Sequence, residues 1–239
     1  MAYFPMFVDI EKKKCLIVGG GTVALRKVQV LQDFGADIVV VAPEDISKIK
    51  EYPVTIYQRK FEKEDLQGCE LVVAATDDAT LNHEIAEAAQ KQKIPVNAVD
   101  QQEDCSFIFP SYVREQELVG AFSSGGNSPV LTQYLKKYMA QILPAELGEA
   151  NAYLGSIRLV VKEELDTEVM RKKVYQKVLN ELFKQIEKKQ DVKLSRQQLQ
   201  DLIDDTKKEE RGRKNGPIKK IKKQRSIAGY GKRKSCACG

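Results

Sequence analysis

The chain has 239 residues, of which 42% are hydrophobic and 31% are charged. This length and hydrophobic content can build one large or two small folded domains, which excludes a disordered or fibrous protein. No run approaches the roughly 20 uninterrupted apolar residues that cross a bilayer, so a membrane-spanning protein is also excluded. The first residues lack the apolar run and cleavage site of a secretory signal, and we therefore expect a cytoplasmic protein.

The positive charge of the chain is concentrated in its last 34 residues. Residues 206–239 carry 13 Lys and Arg against 2 Asp and Glu, whereas the residues before them carry 26 against 32. This segment also has almost no apolar content to offset the entropy of ordering, and we predict a disordered basic tail. Nucleic-acid binding could therefore come from the tail alone and is not expected of the body.

The five cysteines, an odd number, favour reduced thiols over a disulfide framework. We expect Cys105 to be a buried, small apolar residue, and Cys236 with Cys238 is too small a set for a structural zinc site, which needs four ligands. The single histidine, His83, excludes a multi-histidine site, and we expect it on a helix surface without chemistry. We predict no metal site.

Residues 1–100 alternate between short apolar runs and amphipathic stretches, as in a βαβ fold. The runs predicted as strands are 15–18, 37–42, 54–57, 70–75 and 95–99. After the first run, Leu25, Val28, Leu31 and Phe34 recur at helical spacing, and residues 81–89 repeat this pattern. Because runs buried on both faces are typical of parallel sheets, we predict a Rossmann-type, doubly wound α/β fold.

The pattern changes after Asp100. Residues 106–110 and 117–123 are predicted strands that either extend the sheet or pair between subunits. From Pro129 to about Asp205 the pattern predicts three or four helices, the first capped by Ser128.

Gly19, Gly21 and Ala24 match the pattern G-x-G-x-x-A between a predicted strand and a predicted helix. The first glycine permits a tight turn, the second lets the backbone approach a pyrophosphate, and the alanine permits close packing of helix on strand. The helix N-terminus then supplies donors to the phosphates. The pattern predicts a dinucleotide site, with a glycine-rich turn without ligand as the alternative.

Three further residues are candidates for the dinucleotide site. Glu44 follows the second strand, about where an acidic residue holds the adenosine ribose, although Pro43 before it departs from the simple pattern. No arginine is present there for a 2′-phosphate, which favours NAD. Thr76 and Asp77 follow another strand and are plausible cofactor neighbours, although helix capping by Asp77 or Asp78 explains these residues nearly as well.

Asp100 ends the segment Asn97–Asp100 at the carboxyl end of the last parallel strand. A carboxylate there would lie beside a bound nicotinamide and is our candidate acid-base group. The alternative is an ordinary turn aspartate.

Residues 123–129 form a second glycine-serine loop before a helix, which offers backbone donors to an anionic substrate. We take Ser124 and Gly125 from this loop, together with Asn97, as candidate substrate-binding residues. An ordinary strand-to-helix connection is the alternative.

Residues 4–147 resemble the precorrin-2 dehydrogenase family, which includes the amino-terminal half of siroheme synthase. Six blocks in the family's order carry this resemblance: Pro5–Phe7, Cys15–Gly21 with Val23, Ala24, Arg26 and Lys27, Ala74–Asp78, Asn97–Asp100, Ser106–Ser111, and Ser123–Gly126 with Ser128–Leu131.

The resemblance implies NAD-dependent oxidation of precorrin-2 to sirohydrochlorin, and in some members the insertion of ferrous iron. It assigns the acid-base role to Asp100, and it places NAD at Thr22 and Val23 and at Pro43 and Glu44. It places Ser124 near the tetrapyrrole pocket and implies a homodimer. The tetrapyrrole is a polyanion, for which Arg114, Lys136 and Lys137 are candidate partners. Residues 206–239 are not a feature of the family.

Together these expectations divide the chain into four parts. They are an NAD-binding Rossmann domain (1–112), a small α+β dimerisation segment (113–147), a helical domain (148–205) and the basic tail (206–239). The alternative function is an NAD-sensing or nucleic-acid-binding module that acts through the tail.

Overall fold

The computed structural model describes residues 3–43 and 46–214. These residues form two compact units. The first comprises residues up to 113 together with 120–142, and the second comprises 114–119 together with the residues from 143 onward.

The first unit is built on a five-stranded parallel sheet, which confirms the predicted fold class. Its strands are β1 (Lys14–Val18), β2 (Asp37–Val41), β3 (Thr55–Tyr57), β4 (Leu71–Ala74) and β5 (Val96–Ala98). Their order in the sheet is β3-β2-β1-β4-β5, and every neighbouring pair is parallel. The order reverses between β1 and β4, and ligands of such sheets bind at that switch point, outside the carboxyl ends of the strands.

Two helices cover opposite faces of this sheet. Side chains alternate along each strand, so each face has its own set of apolar side chains for a helix to pack against. Helix α1 (Thr22–Asp33) packs its buried Val28 and Leu31 with Cys15 and Ile17 of β1. On the other face, helix α2 (Ala79–Lys91) packs Ile85 and Ala89 with Leu16 and Val18. The continuous apolar runs are explained by this burial on both faces.

The predicted strand over 106–110 is wrong. Those residues follow β5 without forming a strand. The Val96 amide of β5 donates its hydrogen bond to the side-chain Oγ of Ser106, at 2.8 Å, instead of to the backbone of a further strand. Pairing begins one residue after Pro110, in a separate two-stranded hairpin of β6 (Ser111–Glu115) and β7 (Leu118–Phe122). The predicted strand over 117–123 is confirmed as β7, but the alternative in which these strands extend the main sheet is wrong.

Helix α3 (Pro129–Ile142) follows the hairpin and completes the first unit. The Leu131 amide donates to Ser128 Oγ at 3.2 Å, so the predicted serine cap is present. Thr132 Oγ1 donates to the carbonyl of Pro129 within the first turn.

The second unit is helical. Its helices are α4 (Ala145–Ser156), α5 (Arg158–Glu164), α6 (Glu168–Glu187) and α7 (Arg196–Lys214). Val161, Val174, Leu182 and Ile203 form the centre of its core and are fully buried. The described part of the chain therefore has five helices from Pro129 onward, one more than the upper prediction.

Helix α7 extends past residue 206, the predicted start of the disordered tail. Residues 206–214, which we expected to be disordered, continue helix α7, and Thr206 is fully buried. The apolar positions Leu199, Leu202 and Ile203 precede Thr206 at helical spacing, which carries the buried stripe past the predicted boundary. Residues 215–239, with Cys236 and Cys238, lie outside the described residues, and so does most of the segment on which the alternative function rests.

Within residues 3–43 and 46–214, no helix is both long and apolar enough to span a membrane.

Candidate functional site

The turn after β1 is held so tightly that only glycine fits at its first position. Gly19 has φ of +119°, and its amide donates to the carbonyl of Val41 at 2.9 Å. A Cβ at Gly19 would lie 2.2 Å from the carbonyl oxygen of Ala75, far inside van der Waals contact. Gly19 therefore lets the loops after β1 and β4 approach one another.

Gly21 has a different role, since its environment is empty. It is the N-cap of α1 with φ of −75°, no side chain caps this helix, and a Cβ there would meet nothing within 4 Å. The first turn of α1 therefore presents uncapped amides beside open space, at the positive end of the helix dipole. Ala24 lies fully buried against the sheet, as the G-x-G-x-x-A pattern requires.

The loop after β4 is fixed by a side chain that the sequence analysis missed. Asn82, only 3% exposed, accepts from the amide and the Oγ1 of Thr76 at 3.1 and 2.7 Å. Its Nδ2 donates to the Thr76 carbonyl at 3.0 Å. The cap of α2 is Asp78, which accepts from the amides of Thr80 and Leu81. Asp77 is therefore not used as the cap of α2.

These loops enclose a cleft of about 360 Å³, which we call the glycine cleft. Its wall consists of residues 19–23, 75–77 and 99–100. The predicted residues Gly19, Gly21, Thr22, Val23, Thr76 and Asp77 all line it. The space at Gly21 and the uncapped helix fit a pyrophosphate, so these residues suit a dinucleotide cofactor.

The remaining candidates for the dinucleotide site, Pro43 and Glu44, follow β2 in the sequence. Pro43 is exposed just beyond this strand, on the same carboxyl side of the sheet as the cleft, but it does not line the cleft. Glu44 lies outside the described residues.

Asp100 occupies the turn that follows β5. The Val99 amide donates to the carbonyl of Ala74, and the Gln101 amide donates to the carbonyl of Ala98, which closes the turn around an exposed Asp100. Its φ is +61°, a left-handed conformation that aspartate adopts more readily than most residues. The turn therefore places Asp100 just beyond the carboxyl end of β5.

A second, larger cavity of about 650 Å³ adjoins the glycine cleft. Its wall is formed by one face of α1, the turn after β5, the segment 105–111 and the loop before α3. Val23, Val99 and Asp100 line both spaces. Asp100 therefore lies where the two spaces meet.

The candidate substrate-binding residues differ in whether they line the large cavity. Asn97 and Ser124 line the large cavity, whereas Gly125 does not. Asn97 also holds the wall together, since its Nδ2 donates to the Phe107 carbonyl at 3.1 Å. In the glycine-serine loop, the Gly125 amide donates to Ser123 Oγ and the Ser128 amide to Ser124 Oγ. These two amides are therefore occupied within the loop and do not serve as donors to an anion.

The cations chosen from the sequence do not line the large cavity. Lys136 lies 5.1 Å from the ring of Tyr112, and Arg114 donates through Nε to the carbonyl of Gln116 in the hairpin. The cavity instead contains Arg26 and Lys27 of α1. Their spacing of three and four from Val23 places them on the face that carries Val23, a signal available in the sequence.

His83 and Cys105 have structural partners. His83 Nδ1 lies 2.8 Å from Asp104 Oδ1, at the edge of α2. Cys105 Sγ donates to the carbonyls of Ala98 and Gln101. Among the residues of the two described ranges, no group of three or more His, Cys, Asp and Glu side chains could hold a metal ion.

Comparison with known proteins agrees with this geometry. A family model for NAD(P)-binding domains (NAD_binding_7) matches residues 6–111. The siroheme synthase of Nitrosospira multiformis is 39% identical over 191 residues, which cover 77% of this chain and 40% of the relative. That of Photorhabdus laumondii is 39% identical over 187 residues, with the same coverages. The chain thus spans about 40% of the length of these relatives.

Among solved structures, SirC, a precorrin-2 dehydrogenase, superposes with a TM-score of 0.68 at 22% identity and covers 86% of this chain and 100% of its own. At this identity the superposition establishes the shared fold. The resemblance expected from the sequence blocks is confirmed: the chain carries an NAD(P)-binding Rossmann-type domain and is related to part of the siroheme synthases.

Proposed function

We propose that the protein is an NAD-dependent dehydrogenase that oxidises precorrin-2 to sirohydrochlorin. The observation that supports this most directly is the position of Asp100, which lines both the glycine cleft and the large cavity. A carboxylate there can contact a cofactor in one space and a substrate in the other.

The glycine cleft is the proposed site of NAD. The uncapped amides of α1 would hold the pyrophosphate, with Gly21 giving it room, and Thr76 and Asp77 would contact the cofactor from the loop after β4. Glu44 remains predicted to bind the adenosine ribose of NAD, and Pro43 remains predicted to lie beside the cofactor. NAD supplies a hydride acceptor.

The large cavity is the proposed site of the tetrapyrrole. In this oxidation the substrate loses two electrons and a proton as a hydride and loses a second proton to a base. We assign that second proton to a carboxylate oxygen of Asp100, since this side chain lines the cavity at its junction with the cofactor cleft. Asn97 and Ser124 line the same cavity and are proposed to orient the macrocycle.

Exchange of Asp100 for Asn tests this assignment. We expect kcat to fall by about 10²- to 10⁴-fold, because the base is lost, while binding of NADH stays within about twofold of wild type. Asp37→Asn is the matched control, since Asp37 is an exposed aspartate at the amino end of β2, the opposite edge of the sheet. Full turnover by Asp100→Asn, or equal loss in Asp37→Asn, would exclude the role given to Asp100.

We also propose that the protein is a homodimer. Val130, Tyr134, Tyr138 and Ile142 follow one another at spacings of four along α3 and are 50–80% exposed. A row of large apolar side chains on one helix face is typical of an interface. Tyr134→Lys with Tyr138→Lys should lower the mass measured by sedimentation equilibrium to that of the monomer; an unchanged mass would reject this surface.

Iron insertion and cellular location remain to be tested by experiment. The first is insertion of ferrous iron into sirohydrochlorin, for which Asp100 would accept the pyrrole protons as iron enters. It is tested by following loss of the metal-free spectrum with and without the protein. The other is a cytoplasmic location, which fractionation of cells tests.

A further inference from the structure

The large cavity contains one lysine whose surroundings the proposed mechanism leaves unexplained. Lys27 lines the cavity from α1, and its Nζ lies 3.7 Å from the centroid of the Phe109 ring, which lines the same cavity. This distance is well within the range of a cation–π contact. The ring holds the ammonium group in a half-buried position at the cavity wall.

Lys27 has no carboxylate partner in the described part of the chain, where every ion pair involves other residues. Among the residues that the structure describes, the charged side chains that line the large cavity are Arg26, Lys27 and Asp100. The remaining acidic group near Lys27 is the thiol of Cys105, whose pKa is raised by burial, so it stays neutral at neutral pH. Burial also lowers the pKa of Lys27 itself. The ammonium group is thus partly desolvated without a compensating anion.

The position of Lys27 relative to the reacting centre follows from helix geometry. Val23 lines both the glycine cleft and the large cavity, and Lys27 lies four residues further along the same face of α1. Four residues of α-helix rise about 6 Å. Lys27 therefore lies one turn away from the junction at which Asp100 is found, on the side of the large cavity.

We propose that Lys27 binds a peripheral carboxylate of the tetrapyrrole and so fixes which edge of the macrocycle faces the cofactor cleft and Asp100. This deepens the proposed function and depends on it. A carboxylate would supply the missing counter-charge in a half-buried site, where solvent screens less than at the open surface, and the flat face of Phe109 would back the ion pair. Arg26, on the same face but exposed, is a more solvated second cation.

The experiment compares Lys27→Met, Lys27→Arg and Lys91→Met with wild type. Lys91 is an exposed helix lysine remote from the cavity wall and controls for loss of one positive charge. The binding probe is uroporphyrin, a polycarboxylate tetrapyrrole, and its methyl ester is the uncharged comparison. Kinetics use precorrin-2 and NAD.

For Lys27→Met we expect the KM for precorrin-2 and the Kd for uroporphyrin to rise about tenfold to a hundredfold, the loss of one charge-assisted hydrogen bond. We expect kcat and NADH binding to change less than about twofold, since the proposed role is binding. Lys27→Arg should restore most of the affinity, and Lys91→Met should behave as wild type. Binding of the ester should be weak in every variant.

The pH dependence of uroporphyrin affinity distinguishes a lysine that binds the ligand from one with only a structural role. Affinity for uroporphyrin should fall as pH rises through the lowered pKa of Lys27, and this fall should be absent in Lys27→Arg, whose side chain stays charged. In NMR of protein with ¹³C-methylated lysines, uroporphyrin should shift the titration of Lys27 to higher pH. Cys105, Arg26 and Asp100 also line the cavity and are present in all these variants.

Two negative outcomes are distinguishable. Suppose first that wild type turns over precorrin-2. If Lys27→Met then has unchanged KM and Kd, or loses affinity equally for uroporphyrin and for its methyl ester, Lys27 does not bind a carboxylate. If wild type neither binds uroporphyrin nor turns over precorrin-2, the proposed function itself fails.

Discussion

Exchange of Gly19 and Gly21 for alanine separates a glycine required by the fold from a glycine required by the ligand. Gly19 has φ of +119°, which costs an alanine about 1–3 kcal/mol, and its Cβ would lie 2.2 Å from the Ala75 carbonyl oxygen. Relief of that overlap costs about 1–3 kcal/mol more. We expect Gly19→Ala to lose roughly 2–6 kcal/mol, equivalent to a fall in Tm of roughly 5–20 °C.

Gly21→Ala should show the opposite pattern. Its φ of −75° suits alanine, and nothing lies within 4 Å of the added Cβ. Only the poorer N-cap residue affects the fold, at about 1 kcal/mol. The methyl group would instead occupy the space proposed for the pyrophosphate, and we expect NADH affinity to fall about tenfold or more.

The assay measures thermal unfolding by circular dichroism and NADH binding by fluorescence for both variants. A large fall in Tm for Gly21→Ala with unchanged NADH affinity would refute the cofactor site in the glycine cleft. Equal stability of Gly19→Ala and wild type would refute the close approach of the loops after β1 and β4.

Three further predictions concern other parts of the molecule. Asn82→Ala leaves the half-buried backbone groups of Thr76 without their side-chain partner and should cost about 2–4 kcal/mol in denaturant unfolding while raising the KM for NAD; an unchanged KM would separate this loop from the cofactor. Arg59 lowers the pKa of Asp65 through a 2.6 Å ion pair, so this pair stabilises the fold above the ordinary aspartate pKa and the contribution is lost as pH falls through the lowered one. Arg59→Gln should therefore flatten the acid dependence of unfolding, and an unaltered dependence would contradict this. Leu182→Ala in the helical core should cost about 2–5 kcal/mol by leaving a cavity, yet NADH affinity should stay as in wild type, and a loss of affinity would show that the helical core supports the cofactor cleft.

Most of the first unit could be predicted from the sequence because its strands are buried on both faces. Such strands appear as continuous apolar runs, and the helices between them repeat at three and four. The exception is 106–110, where Phe107, Ile108 and Phe109 look like a strand. Ile108 and Phe109 line the large cavity, Phe109 also packs on the core, and the Phe107 ring packs against that of Phe109. Pro110 interrupts the segment before pairing begins.

The sequence predicted those residues of the candidate site that come directly after a parallel strand. Gly19, Gly21, Thr76, Asp77 and Asp100 all lie beyond the carboxyl ends of parallel strands, and the structure brings them to one cleft. Asn82 lies inside helix α2, where nothing in its position along the chain marks a contact with Thr76, and only the packed structure shows that contact. The spacing of Lys27 from Val23 indicates a shared helix face, but only the packed structure shows that this face lines the large cavity.

In the proposed reaction, Asp100 removes a proton from a tetrapyrrole in the large cavity while a hydride passes to NAD in the glycine cleft. The most direct measurement follows NADH and sirohydrochlorin together after precorrin-2 and NAD are mixed with wild type or Asp100→Asn. Under this proposal, we expect wild type to form the two products in equal amounts, and Asp100→Asn to form almost none although it binds NADH and uroporphyrin as wild type does. Product formation by Asp100→Asn at the wild-type rate, or sirohydrochlorin without NADH in wild type, would contradict it.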